Sequence, residues 1–288
     1  MNPSLIVPAE RSGHPASTEL LEKRAQLQRL EPLQTVDDDC EVRFTRRAGV
    51  ACLEAGPTNG PAFLYAHGGG FRMGEAKLWR GLATRLSTAT GRRVIVPDYR
   101  LAPEQPYPAG LNDLAAVFRD LISEDPTVLV GGDSAGGGLS LALAVMTARS
   151  GGQAPDGIVL ISPWLDLRLG STTFETNAET GAHFPRSAAD EAVAAYLQGL
   201  SPTDPLVSPV IVSGELKIPV LVFASGTETL LGDSLALVEA RGRAGVAVEA
   251  VIVPGMPHVW PMLMPGHPKT LALLARIGTF SHALTRPD

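Results

Sequence analysis

One serine stands at the centre of a glycine-rich segment, and this segment constrains the fold more than any other part of the chain. Gly131–Gly138 reads Gly-Gly-Asp-Ser-Ala-Gly-Gly-Gly, with Ser134 in its middle. A short apolar run precedes it, and Ala135–Arg149 follows with almost no polar face, which is typical of a buried helix. A G-x-S-x-G turn from strand to helix needs small residues beside the serine because the turn is too tight for side chains. The pattern predicts an exposed Ser134 hydroxyl beside a helix N-terminus.

Two other interpretations fit a glycine-rich turn of this kind. One is a plain connection between a strand and a helix. The other is a phosphate-binding loop, but Gly131–Gly138 has no Gly-Lys-Ser/Thr ending and no basic residue. The plain turn therefore remains the alternative to a nucleophile until partners for Ser134 are identified.

Apolar runs and amphipathic stretches alternate along the chain, which predicts an α/β protein whose single domain spans residues 1–288. The first two predicted strands are half-polar, which favours an antiparallel edge pair, and the later ones are runs typical of buried parallel strands. The predicted strands are Glu41–Arg46, Val50–Ala55, Ala62–Ala66, Arg93–Pro97, Thr127–Gly131, Gly157–Ile161, Val220–Ala224 and Ala247–Val253. The predicted helices are Lys77–Thr90, Pro108–Ser123, Ala135–Arg149, Ser187–Leu200, Ser234–Gly245 and Lys269–Leu284.

Two segments interrupt this alternation. Residues 1–38 precede the first strand and contain one amphipathic helix, Thr18–Leu30, and residues 165–215 are longer than a simple crossover needs. Long insertions in such positions are often lids or binding walls. We expect the two segments to form a small helical cap over the active-site face.

Composition excludes several classes of function. The net charge of −6 and the pI of about 5.6 argue against nucleic-acid binding. No apolar run reaches the ~18–20 residues that a membrane span requires. Met1–Pro8 has no basic segment and does not resemble a signal peptide, so we expect a cytoplasmic protein with no membrane partner, in which Cys40 and Cys52 are thiols rather than a disulfide.

A second glycine-rich segment follows the third predicted strand. His67–Phe71 reads His-Gly-Gly-Gly-Phe, and three consecutive glycines allow backbone N–H groups to point toward one position, as an oxyanion hole needs. The N–H of Ala135, directly after the nucleophile, would be the matching donor. We expect His67 itself to anchor this loop rather than to act as a base.

The segments His67–Phe71, Asp98–Glu104 and Gly131–Gly138 together resemble the hormone-sensitive-lipase family of bacterial esterases. The likeness extends from about residue 45 to the C-terminus. It implies an α/β-hydrolase fold with an eight-stranded, mostly parallel sheet and a helical cap, and no metal or organic cofactor. By motif position it places the oxyanion donors on Gly69, Gly70 and Ala135. Members of the family are often dimers, so a homodimer is the assembly to consider.

A serine needs a base, and in the α/β-hydrolase fold the acid and then the histidine follow the serine in the chain. His258 lies just past the last predicted strand and matches the family's motif position. His267 is the weaker alternative, while His183 falls in the predicted cap and His282 inside the last helix.

The acid is less clear than the base. Glu228 occupies the slot after the strand Val220–Ala224 in which the family usually has Asp. Asp233 is the rival, although it is also well placed to cap a helix, and Asp204 precedes the strand rather than following it. Glu228 is the predicted acid.

These residues predict a serine esterase in which Ser134, Glu228 and His258 hydrolyse short to medium acyl esters through an acyl-enzyme, with a small-molecule ester as the partner. Lactone, carbamate or amide hydrolysis by the same triad stays open, because one triad serves all of these reactions. A receptor without catalysis is disfavoured by the presence of His258.

Overall fold

The computed structural model of this chain describes residues 8–31, 34–37, 39–181 and 184–284. Its strands are β1 Val42–Arg47, β2 Val50–Ala55, β3 Ala62–Ala66, β4 Arg93–Pro97, β5 Val128–Asp133, β6 Gly157–Ile161, β7 Val220–Ser225 and β8 Val248–Val253. They form one eight-stranded sheet in the order β1-β2-β4-β3-β5-β6-β7-β8. β2 runs antiparallel to both of its neighbours, β1 and β4. The strands β3 to β8 all run parallel to one another. The predicted eight-stranded, mostly parallel sheet is confirmed.

The position of each strand in the sheet explains its sequence. All residues of β3 and β5 are buried, because helices cover both faces of the sheet there and only apolar or small residues fit. β1 and β8 form the two edges, and each carries exposed residues among half-buried ones. The carboxyl ends of the central parallel strands therefore meet at one edge, where loops carry the chemistry.

Helices pack on both faces of the sheet. α2 and α9 share a core with Phe63 and Leu129 on one face, and α3 and α4 pack against Leu64 and Val130 on the other. The α-helices are α1 Thr18–Gln28, α2 Arg80–Thr90, α3 Ala109–Glu124, α4 Ala135–Arg149, α5 Thr173–Thr176, α6 Arg186–Leu197, α7 Leu231–Arg243, α8 Trp260–Leu263 and α9 Pro268–Leu284.

Some helix boundaries differ from the prediction. A 3₁₀ turn over Ala76–Trp79 takes the first residues that were expected in α2. α6 ends at Leu197 rather than Leu200, because Gln198 adopts a left-handed conformation with a φ of 45°. A second 3₁₀ helix, Pro209–Glu215, precedes β7 and was not predicted.

The two segments expected to form a cap contact each other. The guanidinium of Arg11 donates to the carbonyls of Leu197 and Gln198 at the end of α6, over 2.9 and 3.0 Å. Within these segments, residues 1–7, 32–33, 38 and 182–183 lie outside the described part of the chain.

Two further sequence expectations concern the cysteines and membrane spans. Cys52 is buried, Cys40 is half-buried, and both are free thiols. Among the helices of the described ranges, none combines the length and the apolar character needed to cross a membrane.

Candidate active site

Ser134 lies in the tight turn between β5 and α4. Its φ of 50° and ψ of −122° are unusual for a residue with a side chain, and strain of this kind persists only where surrounding packing enforces it. Gly132 and Gly136 flank it, and a Cβ atom on either would lie 2.4 or 2.0 Å from the carbonyl oxygen of Ala66. The glycines are therefore required because the turn packs directly against the end of β3.

His258 reaches Ser134 from the loop after β8. The Ser134 hydroxyl donates to Nε2 of His258 over 3.0 Å. The neighbouring residue Val259 adopts a left-handed φ of 52°, and its N–H donates to the Ser162 hydroxyl over 3.3 Å. This backbone contact fixes the loop against the end of β6, so the imidazole is held where it can accept the serine proton.

Glu228 completes the chain of hydrogen bonds. Nδ1–H of His258 donates to Oε2 of Glu228 over 2.7 Å, and the backbone N–H of Ser225 donates to Oε1 over 2.9 Å. Only 1% of Glu228 is exposed, so the carboxylate meets fixed donors rather than water. The structure thus brings Ser134, His258 and Glu228 together in the order in which they were predicted to act.

Asp233 does not cap a helix, and that part of the sequence interpretation is wrong. The residue lies inside the first turn of α7, which begins at Leu231 without a side-chain cap. Its Oδ2 accepts the backbone N–H groups of Leu165 and Asp166, over 2.7 and 2.9 Å. Burial raises the pKa of Asp233 to about 7.

The predicted oxyanion donors lie on the loop after β3 and at the start of α4. Gly69 and Gly70 have φ values of 115° and 60°, which side chains rarely permit. Among the hydrogen bonds of the described residues, none uses the N–H of Gly69, Gly70 or Ala135 as donor. Three backbone donors thus remain available beside Ser134, as stabilisation of an oxyanion requires.

The side chain of His67 anchors the segment His67–Phe71 through a ring contact and a hydrogen bond. Its ring is fully buried and stacks on Tyr99 with the centroids 4.2 Å apart, and Nδ1–H donates to the carbonyl of Gly68 over 2.8 Å. Burial lowers the pKa of His67 to about 4, so the ring is neutral at pH 7. The Tyr99 hydroxyl donates to the carbonyl of His67 over 2.7 Å, so the segment Asp98–Glu104 contacts the segment His67–Phe71 through this bond.

Asp133 is a site residue that sequence reasoning missed. It precedes Ser134, is 1% exposed, and its Oδ1 accepts the indole N–H of Trp79 over 2.8 Å. Gly68 packs directly against it, because a Cβ atom on Gly68 would lie 2.2 Å from Oδ2 of Asp133. Burial raises the pKa of Asp133 to about 6. Asp133 thus packs the turn of Ser134 against the segment His67–Phe71, and its place inside G-x-S-x-G was the available signal.

Ser134 and His258 open into a cavity of about 380 Å³, within the range of small-molecule sites. α1 contributes Leu27, and Phe184 and Ala188 come from the 165–215 segment. The described residues contain no group of three or more His, Cys, Asp or Glu side chains that could hold a metal ion.

Comparisons with known proteins agree with this geometry. A family model described as the alpha/beta hydrolase fold matches residues 63–262. An esterase of Acinetobacter venetianus is 32% identical over 250 residues, which are 85% of this chain and 82% of that protein. The putative acetyl-hydrolase LipR of Mycobacterium tuberculosis is 33% identical over 218 residues, covering 75% of this chain and 70% of LipR.

Solved structures give the same result. An esterase from the bacterial hormone-sensitive lipase family superposes with a TM-score of 0.88 at 34% identity, covering 95% of this chain and 94% of that one. A hormone-sensitive lipase from a metagenome library superposes with a TM-score of 0.87 at 31% identity, covering 93% and 94%. The chain therefore belongs to the α/β-hydrolase family and, within it, to the hormone-sensitive-lipase group of esterases.

Proposed function

We propose that this carboxylic-ester hydrolase cleaves short to medium acyl esters through an acyl-enzyme formed on Ser134. The observation that carries the proposal is the pair of hydrogen bonds from Ser134 to His258 and from His258 to Glu228, over 3.0 and 2.7 Å. A serine hydroxyl is a poor nucleophile at neutral pH, and a neighbouring imidazole whose orientation is fixed makes it reactive.

Acylation begins when Oγ of Ser134 attacks the ester carbonyl and Nε2 of His258 takes its proton. Glu228 stabilises the imidazolium that forms. Before the reaction it holds the ring in the tautomer that has its proton on Nδ1 and none on Nε2. The N–H groups of Gly69, Gly70 and Ala135 donate to the developing oxyanion, and each such donor is worth about 10²–10³ in rate. His258 then protonates the leaving alcohol as the carbon–oxygen bond breaks.

Deacylation repeats these steps with water as the nucleophile. His258 removes a proton from the water as it attacks the acyl carbonyl, and the same backbone donors bind the second oxyanion. Collapse of this intermediate returns the proton from His258 to Oγ of Ser134. The carboxylic acid product leaves, and the enzyme returns to its starting state.

The size of the cavity supports the proposed range of substrates. About 380 Å³ beside Ser134 holds a short or medium acyl group together with its alcohol. We assign the covering wall to the segments 1–38 and 165–215, whose Leu27, Phe184 and Ala188 face this space as a cap.

Covalent labelling tests the nucleophile. A fluorophosphonate probe should label the native protein and fail to label Ser134→Ala, and the same variant should lose ester hydrolysis by about 10³-fold or more with its thermal unfolding unchanged. Labelling that persists in Ser134→Ala would exclude Ser134 as the nucleophile.

A series of p-nitrophenyl esters tests the substrate range. The value of kcat/KM should decrease above about ten acyl carbons, and a preference for longer chains would contradict the proposed range.

A further inference from the structure

Two cationic side chains line the cavity that contains Ser134. Arg72 directly follows the segment His67–Phe71, and Lys23 extends from α1 in the segment 1–38. Among the described lining residues the one carboxylate is Asp133, whose Oδ1 already accepts the indole N–H of Trp79. The wall of the cavity therefore offers positive charge without a carboxylate of its own free to neutralise it.

The guanidinium of Arg72 is poorly satisfied in this position. Only 11% of its side chain is exposed, and its Nε is buried without a hydrogen-bond acceptor. Nη1 lies 3.5 Å from a carboxylate oxygen of Glu191, and Nη2 lies 3.4 Å from the carbonyl of Ala188. Both contacts are at the long limit of a hydrogen bond, so the planar group retains donors for another acceptor.

The carboxylates near these cations lie toward solvent. Lys23 contacts Glu19 over 2.7 Å and Glu191 over 4.0 Å, and the side chains of Glu19 and Glu191 are 71% and 56% exposed. Ion pairs with exposed carboxylates of this kind contribute little free energy, because solvent and salt screen the charges. A carboxylate inside the cavity can therefore replace Glu191 as the partner of Arg72.

We propose that the preferred esters carry a carboxylate at a distance from the scissile bond, and that Arg72, assisted by Lys23, binds it. This inference rests on the proposed function of the same cavity and specifies its substrate class. The apolar side chains Leu27, Phe184 and Met262 contact the body of the substrate, while the reacting carbonyl lies against Gly69 and Gly70. Glu191 competes with the substrate carboxylate for the two cations.

Two pairs of isosteric probes test this proposal on both sides of the ester. The two members of each pair differ only in that one carries a carboxylate and the other a neutral amide. On the acyl side the pair is the mono-p-nitrophenyl ester of adipic acid, which has a free carboxylate, and the p-nitrophenyl ester of adipamic acid, which has a neutral amide in its place. On the alcohol side it is the butanoate of 4-hydroxybenzoic acid and that of 4-hydroxybenzamide. The quantity measured is the ratio of kcat/KM for the carboxylate to that for the amide within each pair.

Variants with opposite expected effects isolate the role of charge. In at least one pair, Arg72→Gln should lower the ratio about tenfold, since a charge-assisted, planar contact is lost. Glu191→Gln should raise it about threefold by removing the competitor. Arg243→Gln and Glu239→Gln are the matched controls, because both residues are exposed partners on α7, and they should leave the ratio unchanged.

The outcomes separate this proposal from the one on which it rests. If neither ratio falls in Arg72→Gln or rises in Glu191→Gln, while the amide probes are hydrolysed in a Ser134-dependent manner, the specificity proposal is overturned and the esterase mechanism stands. If no probe is hydrolysed and Ser134 is not labelled, both fail. A ratio that moves equally in the α7 controls would assign the effect to net charge and overturn the role of Arg72.

Discussion

Two buried carboxylates follow β7, and their surroundings differ. Glu228 accepts Nδ1–H of His258 and the backbone N–H of Ser225, whereas Asp233 accepts two backbone N–H groups at the start of the 165–215 segment. Glu228 therefore supports His258, which lines the cavity together with Ser134. Asp233 lines a separate, open groove of about 790 Å³ that contains neither Ser134 nor His258.

The difference shows that neither burial nor position in the chain identifies a catalytic acid. Glu228 and Asp233 are 1% and 2% exposed, and both lie near the carboxyl end of β7. The partner decides the role: a carboxylate beside an imidazole orients a base, and one beside backbone N–H groups fixes a chain segment. Burial raises the pKa of Asp233 to about 7, yet this perturbed group has no contact with the proposed nucleophile.

The largest expected effect separates the two residues by rate. Glu228→Gln should lower kcat by about 10⁴-fold, because an amide favours the wrong tautomer of His258 and cannot stabilise the imidazolium. Its thermal unfolding should stay near that of the native protein, since Gln fills the same space. Asp233→Asn should keep kcat within about tenfold, because its partners are backbone groups outside the cavity.

Hydrolysis of p-nitrophenyl butanoate under saturation, together with circular dichroism melts, checks this pair of expectations. Asp204→Asn is a suitable control, since Oδ1 of Asp204 accepts the backbone N–H of Leu206, in an exposed turn. A near-native kcat in Glu228→Gln combined with a folded but inactive Asp233→Asn would reverse the assignment.

The elements of the sheet could be predicted because their signals are local. The strands β3 to β7 are short apolar runs bounded by glycine, proline or charged residues, and the structure places them within about two residues of the prediction. Glu228 and His258 could be predicted from the order of the triad in this fold together with the motif positions of the family that the sequence resembles.

Other features depend on contacts between distant segments and have no local signal. Asp233 precedes the predicted helix Ser234–Gly245, as an N-cap would. In the structure it lies inside α7, and its carboxylate accepts the N–H groups of Leu165 and Asp166 instead. The position of Arg72 in the cavity wall depends on where the 165–215 segment packs. A sequence cannot show which acceptors such a guanidinium lacks.

A second, smaller effect distinguishes the two carboxylates by the pH dependence of stability. The folded pKa of Asp233, about 7, lies above the ordinary value of 3.8, so the unfolded chain loses this proton first as the pH rises. The contribution of Asp233 to the free energy of unfolding is therefore present below about pH 4 and lost by about pH 7. The loss is about 4 kcal/mol, since the two pKa values differ by about three units and each unit corresponds to ~1.4 kcal/mol.

Urea unfolding at pH 4.5 and pH 7.5 measures this loss. Asp233→Asn cannot titrate, so its free energy of unfolding should fall less between the two pH values than that of the native protein. Glu228→Gln removes a charge that is the smallest of the contributions to the raised pKa of Asp233, so it should reduce the dependence less than Asp233→Asn does. An Asp233→Asn protein that loses as much stability as the native one would show that Asp233 is not the group responsible.

The smallest effect concerns the residue directly after Glu228. The hydroxyl of Thr229 donates to the carbonyl of Phe184 over 2.8 Å, and the ring of Phe184 stacks beside His258 with the centroids 6.0 Å apart. Thr229→Val keeps the shape and removes this bond, which is worth about 1 kcal/mol. We expect KM for p-nitrophenyl butanoate to rise about threefold, with kcat within about twofold, because the cavity wall loosens while the triad stays in place.

Thr180→Val is the matched control for Thr229→Val. Its hydroxyl also donates to the loop after β7, at the carbonyl of Thr227, but it is exposed and does not contact Phe184. Steady-state kinetics of the two variants should therefore show a raised KM in Thr229→Val alone. If kcat in Thr229→Val fell as far as in Glu228→Gln, the loop would act as one rigid unit, and the division between a residue that orients the base and neighbours that fix the cavity wall would have to be abandoned.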